Sequence, residues 1–539
     1  MRIAAAIIFV FLAWVAAIAA PPTGEEAVSS IEIEDFATLP VTGNPEGTGQ
    51  VDGMLARVNS VRGEPGGTGR LFIPDMNGPV YLLDTKTKVV ATYLDFNGRD
   101  QRPGLFDRLL YETGYSSGVS QLQFDPDYRR NGKFYTVHME NPALPGSQRP
   151  DTRSVPGLTF GPFGYEPTAA IWTPGPIQFE SILIEWTDTN IRNATFEGTA
   201  REVMRVQLNG RIHPIGELVF HPAARQGDPE WRVMYIGSGD SGSGESRTFI
   251  RPNPQRLDNL VGKILRIIPD PGSDSAPGRG RAATASTLSE NGRYRIPNDN
   301  PFVSTPAARK EIWAYGLRNP HRLSWAQDPS NARRYHLIAA SVGLRTWEAV
   351  YLIRKGANYG YSQREGNQML LPDNVIAPIP STDTISVQIG GTVTDVAPLY
   401  PVIQYGHVPT GGDGIGSGYV YSGKALPKLR GKYVFSDLST GRFWYADFGQ
   451  MLAADDGDPK TLAQIHELTI RWKGQVYDTF IPIAEMTYQS RGGKDPDLPG
   501  RATVSGAKRA DARFGVDAKG ELYIYSKTDG MIRKVISTN

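Results

Sequence analysis

The 539-residue chain contains no cysteine. That absence excludes a disulfide framework, a thiolate nucleophile, a cysteine-ligated zinc site and an iron–sulfur cluster together. Charge of one sign is missing as well. With 57 Lys and Arg against 56 Asp and Glu, the net charge of +1 leaves no basic footprint of a dedicated nucleic-acid binder. A haem-attachment C-x-x-C-H is absent, as is a Rossmann glycine fingerprint after a strand, which excludes a covalently attached c-type haem and a dinucleotide-binding fold. Past the first twenty residues, no apolar run reaches the ~20 residues that a spanning helix needs. Glycine and proline, by contrast, are abundant at 59 and 41 residues, and 40% of the chain is hydrophobic. This is a globular composition rich in tight turns.

Met1-Arg2 is a short basic start, followed by the apolar run Ile3 to Ala19. Ala17 and Ala19 stand in an A-x-A arrangement ahead of Pro21-Pro22. The pattern predicts a secretory signal peptide over residues 1–20, and with it a periplasmic or secreted protein that is not integral to a membrane after cleavage. A retained anchor is the alternative. Residues 21–50 are polar and read as a leader, with the folded domain over 51–539.

One unit recurs along that domain: a short apolar strand, a turn of Gly, Asp, Asn or Ser, and a second apolar strand. It stands, whole or in part, at Arg70–Leu83, Lys133–Glu140, Arg232–Asp240, Arg334–Ile353, Lys432–Asp447 and Glu521–Val535. Period-two alternation with such turns predicts antiparallel sheet. So many strands must hide their edges, and radial repetition of small sheets does so around a central channel. The expected class is therefore all-β, a β-propeller, with a row of β-sandwich domains as the alternative. The inserts at 141–200, 270–310 and 367–400 are expected to be long loops on one face.

Four stretches, in series, resemble the glucose/sorbosone dehydrogenase family, the soluble PQQ-dependent aldose dehydrogenases. They are Leu260-Val-Gly-Lys-Ile-Leu-Arg-Ile267, Arg295-Ile-Pro-Asn-Asp-Asn-Pro-Phe302, Ile312-Trp-Ala-Tyr-Gly-Leu-Arg-Asn-Pro-His-Arg-Leu323, and Trp347-Glu348 followed by Gly356-Ala-Asn-Tyr-Gly-Tyr361. The resemblance implies a six-bladed β-propeller, in step with the six strand pairs. It also implies oxidation of an aldose at its anomeric hydroxyl to a lactone, with PQQ and Ca²⁺ as cofactors and electrons passing to an external acceptor.

Such chemistry needs a base near neutral pKa for the hydroxyl proton, donors for the quinone oxygens, cations for three carboxylates and oxygen ligands for calcium. Among the seven histidines, His213 matches the base of the family's His-x-Gly-Gly-x-Leu, with Ile215 replacing the first glycine. Ile212 precedes it where a carboxylate is frequent, so no sequence neighbour holds the ring. His138, His336 and His466 sit in strand patterns and read as structural, while His407 is a loop residue suited to the channel mouth. The resemblance places Arg318 and Asn319 at the quinone and Arg513 at a PQQ carboxylate, with Arg509 competing for that last place. It gives the cofactor calcium to the carbonyls of Gly343 and Leu344, and a second, structural calcium to the region of Glu348 and Tyr359. The chain departs from the pattern at Ser116, where a Gln or Glu is usual, at Ser439, where a Lys is expected, and at Ala349, where an acidic ligand is expected. Those departures favour a rival of another class, a catalytically silent propeller acting as a sugar-binding or recognition module. A calcium-dependent lactonase would instead need acidic residues converging on the channel.

Overall fold

The structure is a computed structural model that describes residues 27–47, 51, 53–112, 114, 116–160, 164–272, 284–407, 411–496, 498–500 and 508–539. The signal segment, its Pro21-Pro22 end and Pro409-Thr410 after His407 lie outside the described residues. The chain is all-β. An N-terminal strand, β1 (Ser30–Thr38), precedes successive antiparallel groups. The first holds β2 (Arg62–Gly63), β3 (Arg70–Pro74), β4 (Pro79–Asp84) and β5 (Val90–Asp95). The second holds β6 (Val119–Phe124), β7 (Lys133–Glu140), β8 (Phe179–Asp188) and β9 (Gly198–Leu208). Next come β10 (Ile215–Phe220), β11 (Met234–Ser238), β12 (Lys263–Ile267) and β13 (Ile312–Tyr315). They are followed by β14 (Asn319–Asp328), β15 (Asn331–Val342), β16 (Trp347–Ile353) and β17 (Ile403–Gly406). The fifth group is β18 (Ile415–Val420), β19 (Lys432–Asp437), β20 (Phe443–Asp447) and β21 (Ile465–Trp472). The last is β22 (Ala512–Val516), β23 (Leu522–Ser526) and β24 (Met531–Thr538).

The leading strands pack on one another in a closed series. β3 meets β6, β6 meets β10, β10 meets β14, β14 meets β18, β18 meets β22, and β22 returns to β2. The groups thereby cover one another's faces, and the fifth, last and first are also joined through β1 and β2 into one hydrogen-bonded sheet. The sequence of β12, Lys-Ile-Leu-Arg-Ile, is buried at every position for that reason. Its two cations are partnered inside, Lys263 by the carbonyls of Asn253, Pro254 and Val261 and Arg266 by Glu230. Between the second and third groups, Tyr135, Val137, Leu183 and Val206 join Leu218, Ile236 and Leu265 in one buried cluster. Each such side chain contributes about 1.5–3 kcal/mol by leaving water.

Two boundaries differ from the sequence reading. Residues 21–50 are not a leader throughout: β1 pairs antiparallel with β24 through Ile31↔Thr538 and parallel with β21 through Ile31↔Ile470. It supplies the fourth strand of the last group and covers an edge that would otherwise lie open. Its alternation was hidden by the acidic residues of Ile31-Glu-Ile-Glu-Asp, whose apolar members alone point inward. The insert at 141–200 is not all loop either, since it contains β8, which sits between β7 and β9. The other two inserts carry small hairpins, Ser286–Leu288 with Arg295–Pro297 and Ile385–Ile389 with Thr392–Val396.

Ile31 is fully buried. Ile31→Ala is expected to cost about 2–4 kcal/mol, read as a lower urea midpoint at unchanged slope. A change no larger than that of a surface substitution would remove β1 from this closing role.

Candidate active site

Because the leading strands touch in a closed series, the residues just before each of them converge on one mouth. A cavity of about 260 Å³ opens there, lined among others by Ser116, His213, Arg318, Asn319, Arg509 and Arg513. His213 precedes β10, Arg318 precedes β14, Arg509 precedes β22, and Arg513 is its second residue. The backbone of Gly343 and Leu344, just past the end of β15, closes another side. The sequence-derived residues for base, quinone and carboxylate contacts therefore share one chamber. Glu348 and Tyr359 stand outside its lining.

The ring of His213 is held from across a hairpin. Its Nδ1 lies 2.6 Å from Asp240 Oδ1. Continuing the β10–β11 register from Ile215↔Ser238 by two residues sets 213 opposite 240, so the carboxylate missing at Ile212 comes from the partner strand. Asp240 is fully buried and also accepts from the N–H groups of Gly242 and Gly244, each at 2.9 Å. Burial drives its carboxyl upward, but His213, Arg318 and the Gly242 N–H outweigh this and hold it below the ordinary carboxylate range. His213 adopts a left-handed backbone (φ 54°), unusual for a residue with a Cβ. Its carbonyl accepts from Ser241 N–H at 3.2 Å. Gly239 makes room for this turn, because a Cβ there would lie 2.6 Å from His213 Cβ.

Arg318 forks between Glu245 Oε2 at 2.9 Å and the Gly343 carbonyl at 2.6 Å. Its Nε is buried without a hydrogen-bond partner. Burial works against its charge, yet Glu245 and Tyr361 raise its pKa above the usual arginine value. The backbone carbonyl of Arg318 accepts from Asp240 N–H at 2.7 Å, which couples the two motifs directly.

The far wall is crowded with cations. Arg513 is ion-paired to Asp511, and Arg509 Nε donates to the same carboxylate at 3.0 Å. Lys527 lines the cavity beside them and is buried. Burial, then Arg322, pushes Arg513 well below the usual arginine value, and burial with Arg513, Arg57 and Arg509 does the same to Lys527. Arg509 also donates to Ser439 Oγ at 3.2 Å. Where a lysine is missing at 439, positive charge is brought by Arg509, from just before β22. Both Arg509 and Arg513 line the chamber, so the two candidates for that contact are not exclusive.

Ser116 lies in a loop pinned by Arg57, whose Nη2 donates to the carbonyls of Gly114 and Ser117 at 2.9 and 3.2 Å. Burial lowers the Arg57 pKa to about 10. His321 was not singled out from sequence, yet it lines the cavity with Nε2 2.9 Å from the Ile415 carbonyl. His407 reaches the mouth as expected.

A flat tricarboxylate such as PQQ fits this donor set: mutually repelling buried cations on one wall, and unused buried Nε groups on Arg318 and Arg513. An anion there would relieve the repulsion, and each charge-assisted bond contributes on the order of 1.5–3 kcal/mol. Calcium fits poorly. The Gly343 carbonyl is taken by Arg318. Glu348 accepts from Gly343 N–H, from Ile415 N–H at 2.7 Å and from His407 Nε2 at 2.7 Å. Tyr359, expected to contribute its carbonyl to a second calcium, lies outside the chamber lining. No group of three or more His, Asp or Glu able to hold a metal ion occurs among the described residues.

A carboxyl held below its ordinary range stabilises the fold above that range and loses its contribution as pH falls through the folded value. Asp240→Asn is therefore expected to cost about 1–3 kcal/mol at neutral pH. The gap to wild type should narrow as urea melts are taken toward strongly acidic pH. An equal gap at every pH would show that Asp240 is not held as an ion.

A model of the family described as Glucose / Sorbosone dehydrogenase matches residues 280–476. Arg318, Asn319, Gly343 and Leu344 fall inside that match, whereas His213, Asp240 and Arg513 fall outside it. HIPL1 protein of Arabidopsis thaliana is 26% identical over 396 residues, covering 70% of this chain and 51% of the relative. The chain thus spans about half the length of that relative. Aldose sugar dehydrogenase YliI of Escherichia coli is 36% identical over 131 residues, 24% of this chain and 28% of that protein. In fold, the chain is similar to the crystal structure of soluble aldose sugar dehydrogenase from Escherichia coli in the apo-form. The TM-score is 0.52 at 15% identity, over 94% of this chain and 99% of that one. No helix among the described residues is long and apolar enough to cross a membrane. Over residues 280–476, and in its overall fold, the chain is similar to the glucose/sorbosone dehydrogenases.

Proposed function

We propose that this protein is an exported, PQQ-dependent dehydrogenase that oxidises aldose sugars at the anomeric hydroxyl to lactones, on a six-bladed propeller closed by β1. The observation that carries the reading is the chamber itself, in which a carboxylate-held imidazole and a guanidinium face a wall of buried cations. The closed series of leading strands supports the propeller. The apolar run and A-x-A site at the N-terminus support export. In the chamber, Arg509, Arg513 and Lys527 would hold the carboxylates of PQQ, and Arg318 with Asn319 would meet the quinone oxygens. When bound, PQQ supplies a two-electron acceptor for the hydride of the anomeric carbon.

The chain's own residues do the proton work. With Nδ1–H directed at Asp240, His213 presents Nε2 as the acceptor for the sugar hydroxyl proton. Asp240 fixes the tautomer and stabilises the imidazolium that forms. A base so placed contributes about 10²–10⁴-fold. Arg318 keeps its charge at any working pH and is oriented by Glu245, so it needs little reorganisation to stabilise negative charge. The electrons leave to a separate acceptor.

A recognition module on the same shell is the second reading. Ser116 in the chamber wall favours it. Reconstitution separates the two. The mature chain with PQQ should show a cofactor spectrum reduced by sugar and dye-linked turnover across an aldose panel. His213→Ala should lower turnover about 10²-fold or more while PQQ uptake persists. Absence of uptake at micromolar PQQ would favour the recognition module.

A further inference from the structure

The turn after β15 is polarised against a cation. Glu365 Oε1 accepts four successive backbone N–H groups, from Leu344, Arg345, Thr346 and Trp347, at 2.9, 2.8, 2.8 and 3.1 Å. Gly343 N–H, the fifth in the run, lies 3.2 and 3.3 Å from the two oxygens of Glu348. Consecutive N–H groups wrapped round a carboxylate form an anion nest, the opposite of the converging oxygens that a hard cation requires. Glu348 is saturated: its second oxygen takes Ile415 N–H and its first takes His407 Nε2, both at 2.7 Å. The one carbonyl of the turn that meets a positive charge, Gly343, meets the Arg318 guanidinium at 2.6 Å. Glu348 and Glu365 are both buried, so neither is free to swing out to a solvent ion without leaving these donors unpaired.

We propose that the protein's own groups, the Arg318 guanidinium on the Gly343 carbonyl and the His407 ring on Glu348, hold the place beside the chamber that a divalent cation would occupy, so that PQQ uptake by this chain requires no calcium. This rests on the PQQ reading, and the two can fail separately. Two acids face the turn and take its N–H groups; Glu365 Oε2, buried without a hydrogen-bond partner, is a single oxygen, far short of the roughly six to eight that calcium takes. Positive charge near the quinone edge comes from a guanidinium that is already oriented by Glu245. Glu348 and His407 are positioning residues: they fix the Gly343 turn, which in turn fixes Arg318.

The test is equilibrium dialysis of PQQ against the full chain, once in EGTA and once in millimolar CaCl₂, with calorimetric titration of Ca²⁺ alone into the PQQ-free chain. The expected result is one dissociation constant for PQQ in both buffers and no Ca²⁺ binding that depends on Glu348. Glu348→Gln and His407→Gln should each weaken PQQ uptake about tenfold, which is about 1.4 kcal/mol, with no rescue by Ca²⁺. A dissociation constant at least tenfold tighter in CaCl₂, or Ca²⁺ binding to the PQQ-free chain that Glu348→Gln abolishes, overturns the inference and leaves the PQQ reading standing. Failure of PQQ to bind in either buffer sinks the PQQ reading instead. The Ca²⁺ titration with Glu348→Gln then still decides whether this turn is a cation site. Thermal melts of each variant confirm that it is folded before its binding is compared.

Discussion

One backbone hydrogen bond, from Asp240 N–H to the Arg318 carbonyl at 2.7 Å, ties the hairpin that carries the imidazole to the hairpin that carries the guanidinium. It exists because β10 and β14 pack side by side as leading strands of adjacent groups. Through it, the two polar ends of separate sheets become one rigid edge. Asp240 serves both hairpins, with its N–H on Arg318 and its carboxylate on His213. The geometry of the chamber follows from this shared residue more than from any contact across the open space.

The register of each hairpin extends the same logic. The pairing Asn319↔Val342 continues to Arg318 opposite Gly343, and Ala512↔Ser526 continues to Asp511 opposite Lys527. In both cases the residue just outside the leading strand faces the residue just outside the next one. Charged groups placed there are buried by the neighbouring sheets yet remain at the rim of the channel. The result is a wall where Arg513 and Lys527 are held against their own repulsion. Such a wall is destabilising in an empty protein and becomes favourable once an anion enters. Stability given up in this way is the usual mark of a binding site.

Much of the chamber was legible in the sequence. Arg318-Asn319 and His213 came from the family resemblance, as did Arg513, with Arg509 as its competitor; the structure brings all of them to the lining of one chamber. What escaped was everything delivered by pairing. Asp240 closes the Arg232–Asp240 unit and Lys527 sits inside Glu521–Val535 with nothing local to mark either, since the groups they meet, His213 and Arg513, are 27 and 14 positions away. The apolar pairs of the β10–β11 hairpin, such as Leu218↔Ile236, extend to 213 opposite 241; the bulge between Ile215 and Glu217 shifts the partner to 240, and the apolar pattern does not mark that bulge. Strand β1 was missed for a different reason. Its partners lie at the opposite end of the chain, and its acidic residues disguise a two-residue period. The missing lysine at 439 was a fair observation with an incomplete consequence, because positive charge reaches that place from Arg509.

Diffraction from crystals grown with PQQ tests the central claim most directly. The account predicts a flat tricyclic density between the His213 ring and Arg318, with carboxylates within hydrogen-bond distance of Arg513, Arg509 or Lys527 and the His213–Asp240 contact intact. Density bound elsewhere, or a chamber holding only water at saturating PQQ, would contradict it.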